Sequence, residues 1–224
     1  ELGKLLGYPE CCVKRHIERT TRAPYIRGRK LIFDIFSPNR SAPFVINNLL
    51  NFPTRLDTPE DFKNADQYWR GNSDNESLKY SINAKGENKE IFLLNISFIP
   101  HLPCRSDCAK SVEIGRLVAA WMKNNIPELF DFFKNILQRS FLVFDTFDWI
   151  AFDGKIKDNR LEYAGIAAPF TFMENPVKQN LPLGNSLSAE KDRIVVFKDD
   201  RPVFEYEKKS EEDGYLVDFV DFEI

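Results

Sequence analysis

The sequence predicts an α+β protein in one domain of 224 residues. Its helical half is expected over about residues 1–140, and a half rich in antiparallel strands over about 141–224. Three observations carry this prediction. Apolar residues recur at spacings of three and four before Ser140, the mark of amphipathic helices. After Ser140 the spacing changes to two, the mark of half-buried strands. No internal repeat is evident, and a chain this long can bury one sizeable core without disulfides. With 20 phenylalanines, that core has to be largely aromatic, and it should not depend on a metal.

Leu2, Leu5 and Leu6 read as the buried side of a short helix that stops at Gly7. Tyr8-Pro9-Glu10 then starts a second helix, Pro9–Thr21, since proline fits the first turn and glutamate complements the positive end of the dipole. Prolines at 24, 38, 43, 53 and 59 allow only short pieces up to Pro59, with one helix possible over Phe44–Phe52. Gly71–Asn88 is polar and reads as a loop or weak hairpin, and Ile91–Phe98 as a buried strand. Two prolines forbid a regular helix over Ile99–Cys104. Ser106 or Asp107 then caps a long helix to about Asn124, with Cys108, Val112, Gly115, Ala119 and Met122 as its buried stripe. Pro127 starts another helix, buried through Leu129, Phe130, Phe133, Ile136 and Leu137.

Beyond Ser140, Phe141–Phe144, Trp149–Phe152 and Leu161–Tyr163 read as strands, with a turn at Lys157-Asp158-Asn159. Pro169–Ser188 reads as a long irregular stretch. Ile194–Lys198 and Val203–Glu207 form a hairpin around Asp199-Asp200-Arg201-Pro202, and Tyr215–Phe222 alternates as the last strand. Asp145, Asp148 and Asp153 read as the polar side of strands and turns in preference to a hard-metal site.

The chemistry concentrates elsewhere. All four cysteines and both histidines fall into two clusters, Cys11-Cys12-x-x-x-His16 and His101-x-x-Cys104-x-x-x-Cys108. Thiolate and imidazole are the ligands of soft and borderline metals. Both clusters sit at expected helix starts, where amides and dipole favour thiolates. If they meet in space, several thiolates gather there. A cation, a cluster or oxidation must then relieve their repulsion. Three readings follow. An iron–sulfur cluster or zinc would be held by Cys11 or Cys12, Cys104 and Cys108, with His101 as a further ligand or proton donor. A metal-free pair of thiols would do redox chemistry. The cysteines would otherwise be small buried apolar residues. His16, beside Lys14 and Arg15, reads as an ordinary helix histidine. Arg15, Arg105 and Arg116 lie near the clusters and could bind a small anionic molecule.

The residues Gly7-Tyr8-Pro9-x-Cys11-Cys12-Val13 and His101-x-Pro103-Cys104-x-x-x-Cys108-x-x-Ser111 resemble the signatures of one prokaryotic, largely archaeal family, domain of unknown function family 483. Pro43-Phe44 and Asn47-Asn48 extend the resemblance between the motifs. It implies a prokaryotic, cytoplasmic protein and supplies no activity, cofactor or catalytic residue.

Composition bounds the rest. The chain is 43% hydrophobic and 29% charged with a net charge of −3, so it has no general signal for nucleic acid. No apolar stretch approaches the roughly 20 residues of a membrane span. No secretory signal is visible, so reduced cysteines and a cytoplasmic location are expected. No P-loop, G-x-G-x-x-G, G-x-S-x-G or H-E-x-x-H motif is present. The leading expectation is a metal- or iron–sulfur-binding protein with an open coordination position, performing redox or sulfur chemistry on a small anion. The alternatives are a non-catalytic module stapled by zinc or disulfide, and a metal-free thiol redox protein.

Overall fold

A computed structural model describes residues 2–22, 28–36, 41–49, 79–84, 87–92, 97–145, 148–170 and 175–221. In order these form α1 (Leu2–Leu5), α2 (Glu10–Arg22), α3 (Gly28–Phe36), β1 (Ser41–Pro43), β2 (Lys79–Ala84), β3 (Glu87–Phe92), α4 (Ala109–Asn125) and α5 (Pro127–Leu137). There follow β4 (Ser140–Asp145), β5 (Asp148–Lys157), β6 (Arg160–Phe170), α6 (Pro176–Asn180), β7 (Ser186–Ala189), β8 (Arg193–Lys198), β9 (Arg201–Glu207) and β10 (Tyr215–Val220).

The expected division into a helical N-terminal half and an antiparallel C-terminal half does not hold. Eight strands form one mixed sheet in the order β1-β10-β4-β5-β6-β7-β8-β9, and β1 comes from the N-terminal half. It pairs parallel with β10, Ser41 opposite Asp218 and Pro43 opposite Val220, while the other neighbours in the sheet are antiparallel. The N-terminal half also supplies the separate hairpin β2–β3.

The sheet is buried on both faces where it matters. Phe141, Val143, Trp149, Ala151, Tyr215, Val217 and Phe219 turn to one side, against α3, α4, α5 and the 3-10 turn Phe44–Ile46. Leu142, Phe144, Ile150, Phe152 and Leu216 turn to the other. There Leu161, Leu187, Ile194 and Val196 share the same cluster, so the sheet curls around it. Alternating burial of this kind is the period of two on a pleated strand. Covering both faces explains the unbroken apolar run of β4. Bulges between Ala151 and Phe152 and between Asp153 and Gly154 help the long β5–β6 pair to bend.

Tight turns follow the sequence closely. Asp158 and Asn159, then Asp199 and Asp200, take positive φ in the two hairpins, as two-residue turns of this hand require. Tyr8 N–H donates to Gly3 O at 2.9 Å with Gly7 at φ 75°, which stops α1 by a Schellman motif.

Other expectations need correction. The helix over Phe44–Phe52 is a 3-10 turn over Phe44–Ile46, because Asn47 Oδ1 accepts from Leu49 N–H and its amide reaches Leu137 O; residues 50–52 lie outside the described residues. Of the strand expected at Ile91–Phe98, Ile91 and Phe92 end β3, residues 93–96 lie outside the described residues, and Phe98 is buried in an irregular segment. Cys108, not Ser106 or Asp107, is the N-cap of α4. The stripe of α4 is Ser111, Gly115, Ala119 and Met122. The irregular stretch from Pro169 contains α6, capped by Asn175 Oδ1 on Val177 N–H, and β7. Asp148 pairs with Lys178 and Asp153 with Arg139, as structural ion pairs.

Gly115 lets α4 press on the 3-10 turn. A Cβ there would stand 2.6 Å from Val45 O and 2.9 Å from Val45 Cβ. Gly115→Val is therefore expected to destabilise by about 1–3 kcal/mol, well above the few tenths gained in helix propensity. A lower urea midpoint at unchanged slope would bear this out. An unchanged midpoint would contradict the packing.

Candidate metal centre

Two chain segments about ninety residues apart build the site. In the first, buried Pro9 precedes α2, and its carbonyl accepts from Cys12 N–H at 2.9 Å and Val13 N–H at 3.0 Å. Cys11 and Cys12 consequently lie in the first helical turn. The second is the loop into α4. Asn48 Nδ2 donates to His101 O at 2.9 Å, and Ser106 N–H donates to Ile35 O at 3.0 Å, which fixes the loop to the core. Cys104 lies in that loop. Cys108 ends it, its carbonyl accepting from Val112 N–H at 2.9 Å.

The four sulfurs converge. Cys11 Sγ is 3.7 Å from Cys108 Sγ and 3.9 Å from Cys12 Sγ, and Cys12 Sγ is 3.7 Å from Cys108 Sγ. With Cys104 added, all four lie within 4.8 Å of one another. A tetrahedron with metal–sulfur arms of about 2.3 Å has edges of about 3.8 Å. The group can hold a metal ion, and among the described residues it is the one metal-capable cluster of histidine, cysteine or carboxylate side chains. Cys12 and Cys108 are buried, Cys104 is half-buried and Cys11 is exposed.

Hydrogen bonds to sulfur are unevenly shared. The Cys104 amide and the Ser111 hydroxyl, 3.3 Å away, serve Cys12. The Ser111 amide serves Cys108. Burial pushes the Cys12 thiol far up, and burial with the neighbouring thiols raises Cys104 to about 11. Burial also works against ionising Cys108, but hydrogen bonds from Ser111, Cys104 and Cys12 outweigh it and bring that thiol down to about 7. Without metal, Cys108 is the favoured thiolate while Cys12 and Cys104 keep their protons near neutral pH.

Metal binding must expel those protons. Apparent zinc affinity is therefore expected to rise by at least about two decades per pH unit above pH 7, from Cys12 and Cys104. Below pH 7, where Cys108 is protonated too, the rise is at least about three. Calorimetry in buffers of different ionisation heat counts the released protons, and fewer than two at pH 8 would contradict this balance.

His101 stands behind the sulfurs, outside the group of four. Its Nε2 is 2.9 Å from Ser111 Oγ, and its ring lies 5.2 Å from that of Tyr8, tilted by 32°. Burial holds it down to about 4, so the ring is neutral. With the proton on Nε2, His101 donates to Ser111 Oγ, which lies 3.3 Å from the Cys12 sulfur. Nδ1 is then an acceptor without a partner. The other tautomer would leave a buried N–H donor unmet, the costlier omission. The sequence reasoning assigned no role to Ser111, although it follows Cys108 by three on one helix and so shares its face.

The remaining candidates are peripheral. His16 is exposed on α2. Arg15 pairs with Glu18 at 3.5 Å and Arg105 with Asp107 at 2.6 Å, both at the surface. Arg116 is exposed on α4. No described helix is long and apolar enough to cross a membrane. Comparison with family models, curated proteins and solved structures gives no match for this chain.

Proposed function

We propose that this chain binds one zinc ion on the thiolates of Cys11, Cys12, Cys104 and Cys108, and that the ion clamps its N-terminal helices to the body of the protein. The observation that carries the reading is the spacing of the sulfurs, 3.7 to 3.9 Å in the three pairs among Cys11, Cys12 and Cys108, with all four within 4.8 Å of one another. That is the edge of a tetrahedron around a single ion, about 3.8 Å. A cluster of two or four irons spreads the four thiolates over separate irons and holds at least some of the sulfurs well apart, so four sulfurs within 4.8 Å of one another favour one ion over a cluster. Four thiolates also fill a tetrahedron. The open position that redox or sulfur chemistry on a small anion would need is then absent, and the closed site suits a structural zinc.

The clamp has something to hold. Within α2, the buried side chains among the described residues are Cys12 and Val13, both in its first turns, while Lys14, Arg15, His16 and Ile17 are exposed. Tyr8 adds its ring contact with His101. The same four thiols lie in both motifs that resemble domain of unknown function family 483, and membership of that family is part of the proposal. So is a cytoplasmic location, where thiols stay reduced.

Anaerobic purification with metal analysis tests this. One zinc per chain, and faster amide exchange over residues 2–22 after chelation, are the expected results. Brown protein carrying several irons and sulfide would replace the reading with a cluster. Metal-free protein that takes up no zinc would end it.

A further inference from the structure

The four thiolates are not equivalent, and the difference has a chemical consequence. Cys12 and Cys108 are 3% and 4% exposed and receive hydrogen bonds from Ser111 and from the backbone. Such bonds draw charge from sulfur, and burial keeps reagents away. Cys11 is exposed, and the described partners of its sulfur are the sulfurs of Cys12, Cys108 and Cys104. A divalent ion with four thiolates carries a net charge of −2, and Cys11 is the exposed sulfur of the four, Cys104 being half-buried.

We propose that Cys11 is a modification site for peroxide, and that its oxidation to a disulfide with Cys108 releases the metal. This rests on the four-thiolate reading of the site. The Cys11 thiolate attacks one peroxide oxygen, giving Cys11–SOH and hydroxide. The Cys108 thiolate then attacks the Cys11 sulfur, forms the S–S bond and expels a second hydroxide. Two thiolates give up two electrons, hydrogen peroxide takes both, and the ion keeps two thiolates.

Geometry favours Cys108 over Cys12 as the partner. Cys108 Sγ is 3.7 Å from Cys11 Sγ, close enough to bond after a small shift. Cys12 is nearly as near but is the next residue. Neighbouring Cα atoms are about 3.8 Å apart across a trans peptide, below the roughly 4.4–6.8 Å that disulfides span. Cys108 also sits at the N-cap of α4, where the helix end favours its thiolate form. Losing Cys11 and Cys108 together removes one ligand from each arm of the clamp and so frees the ion, while the new disulfide keeps α2 tied to the start of α4.

The test uses the zinc-loaded full chain, its zinc content measured first by native mass spectrometry. Protein that holds no zinc at that stage overturns the four-thiolate reading before any oxidant is added. Loaded protein is then treated with hydrogen peroxide while a chromophoric chelator follows zinc release. The expected result is one zinc released per 2 Da lost, with a peptide linking Cys11 to Cys108. Mapping at partial conversion locates the first modified sulfur without any variant, and it should be Cys11. First oxidation at Cys12, Cys104 or Cys108, or zinc release with no disulfide, would overturn this proposal and leave the metal site standing.

Discussion

Cys108→Ser is expected to abolish tight zinc binding while the sheet stays folded. Cys108 Sγ stands 3.7 Å from the sulfurs of both residues of the opposite arm, so its loss removes a central member of the group. Changes outside the ligand shell commonly cost 10–100-fold in metal affinity, and the loss of a ligand should exceed that range. The effect on folding is of another size. The two main apolar clusters draw on the sheet, α3, α4, α5 and α6, and among the described residues none of their members comes from α2, so the core does not need the ion. A fall in melting temperature of no more than about 5 °C is expected, equivalent to roughly 1–2 kcal/mol at this size. Amide exchange should rise over residues 2–22 and stay unchanged in β4, β5 and β10. A global collapse on this substitution would mean that the metal holds the whole fold, as in domains that are unfolded without it.

Phe98→Ala carries the largest expected cost in stability. Phe98 is 2% exposed and stacks edge-to-face on Phe44 and Phe133, with Phe130 at 6.1 Å. Deleting a buried phenyl ring costs about 3–5 kcal/mol, from lost transfer energy and the cavity left behind. The residue also leads directly into the loop carrying His101 and Cys104. Zinc affinity should therefore fall together with the urea midpoint, whereas Cys108→Ser removes affinity and largely spares the midpoint. A change below about 1 kcal/mol would show that the aromatic cluster relaxes around the gap.

Much of the site was legible because its signals are local. Tyr8-Pro9-Glu10 marks a helix start, Cys11 and Cys12 follow in its first turn, and the second cluster precedes another helix. That all the thiols and imidazoles of the chain fall into two short clusters then predicts convergence, which the four cysteine sulfurs bear out. His101 illustrates where this reasoning stops. Its spacing from Cys104 suits a ligand, but the path of the loop between Pro100 and Pro103 decides where the ring points, and it points to Ser111. The hairpins were readable from Asp158-Asn159 and Asp199-Asp200, residues that tolerate positive φ. The placement of β1 was not. Three residues, Ser41–Pro43, carry no strand signal of their own, and their partner, β10, is almost the whole chain away. The hairpin β2–β3 reads only as a loop or weak hairpin ending at Asn88, because Glu87–Glu90 is a polar run that does not alternate, although Lys79–Ala84 does.

X-ray absorption at the zinc edge of the purified, anaerobically handled protein tests the central claim most directly. Four sulfur neighbours at about 2.3 Å are expected, with no nitrogen or oxygen neighbour near 2.0–2.1 Å. A shell with three or fewer sulfurs, completed by nitrogen or water oxygen, would contradict the closed four-thiolate site and return the centre to an open, reactive one.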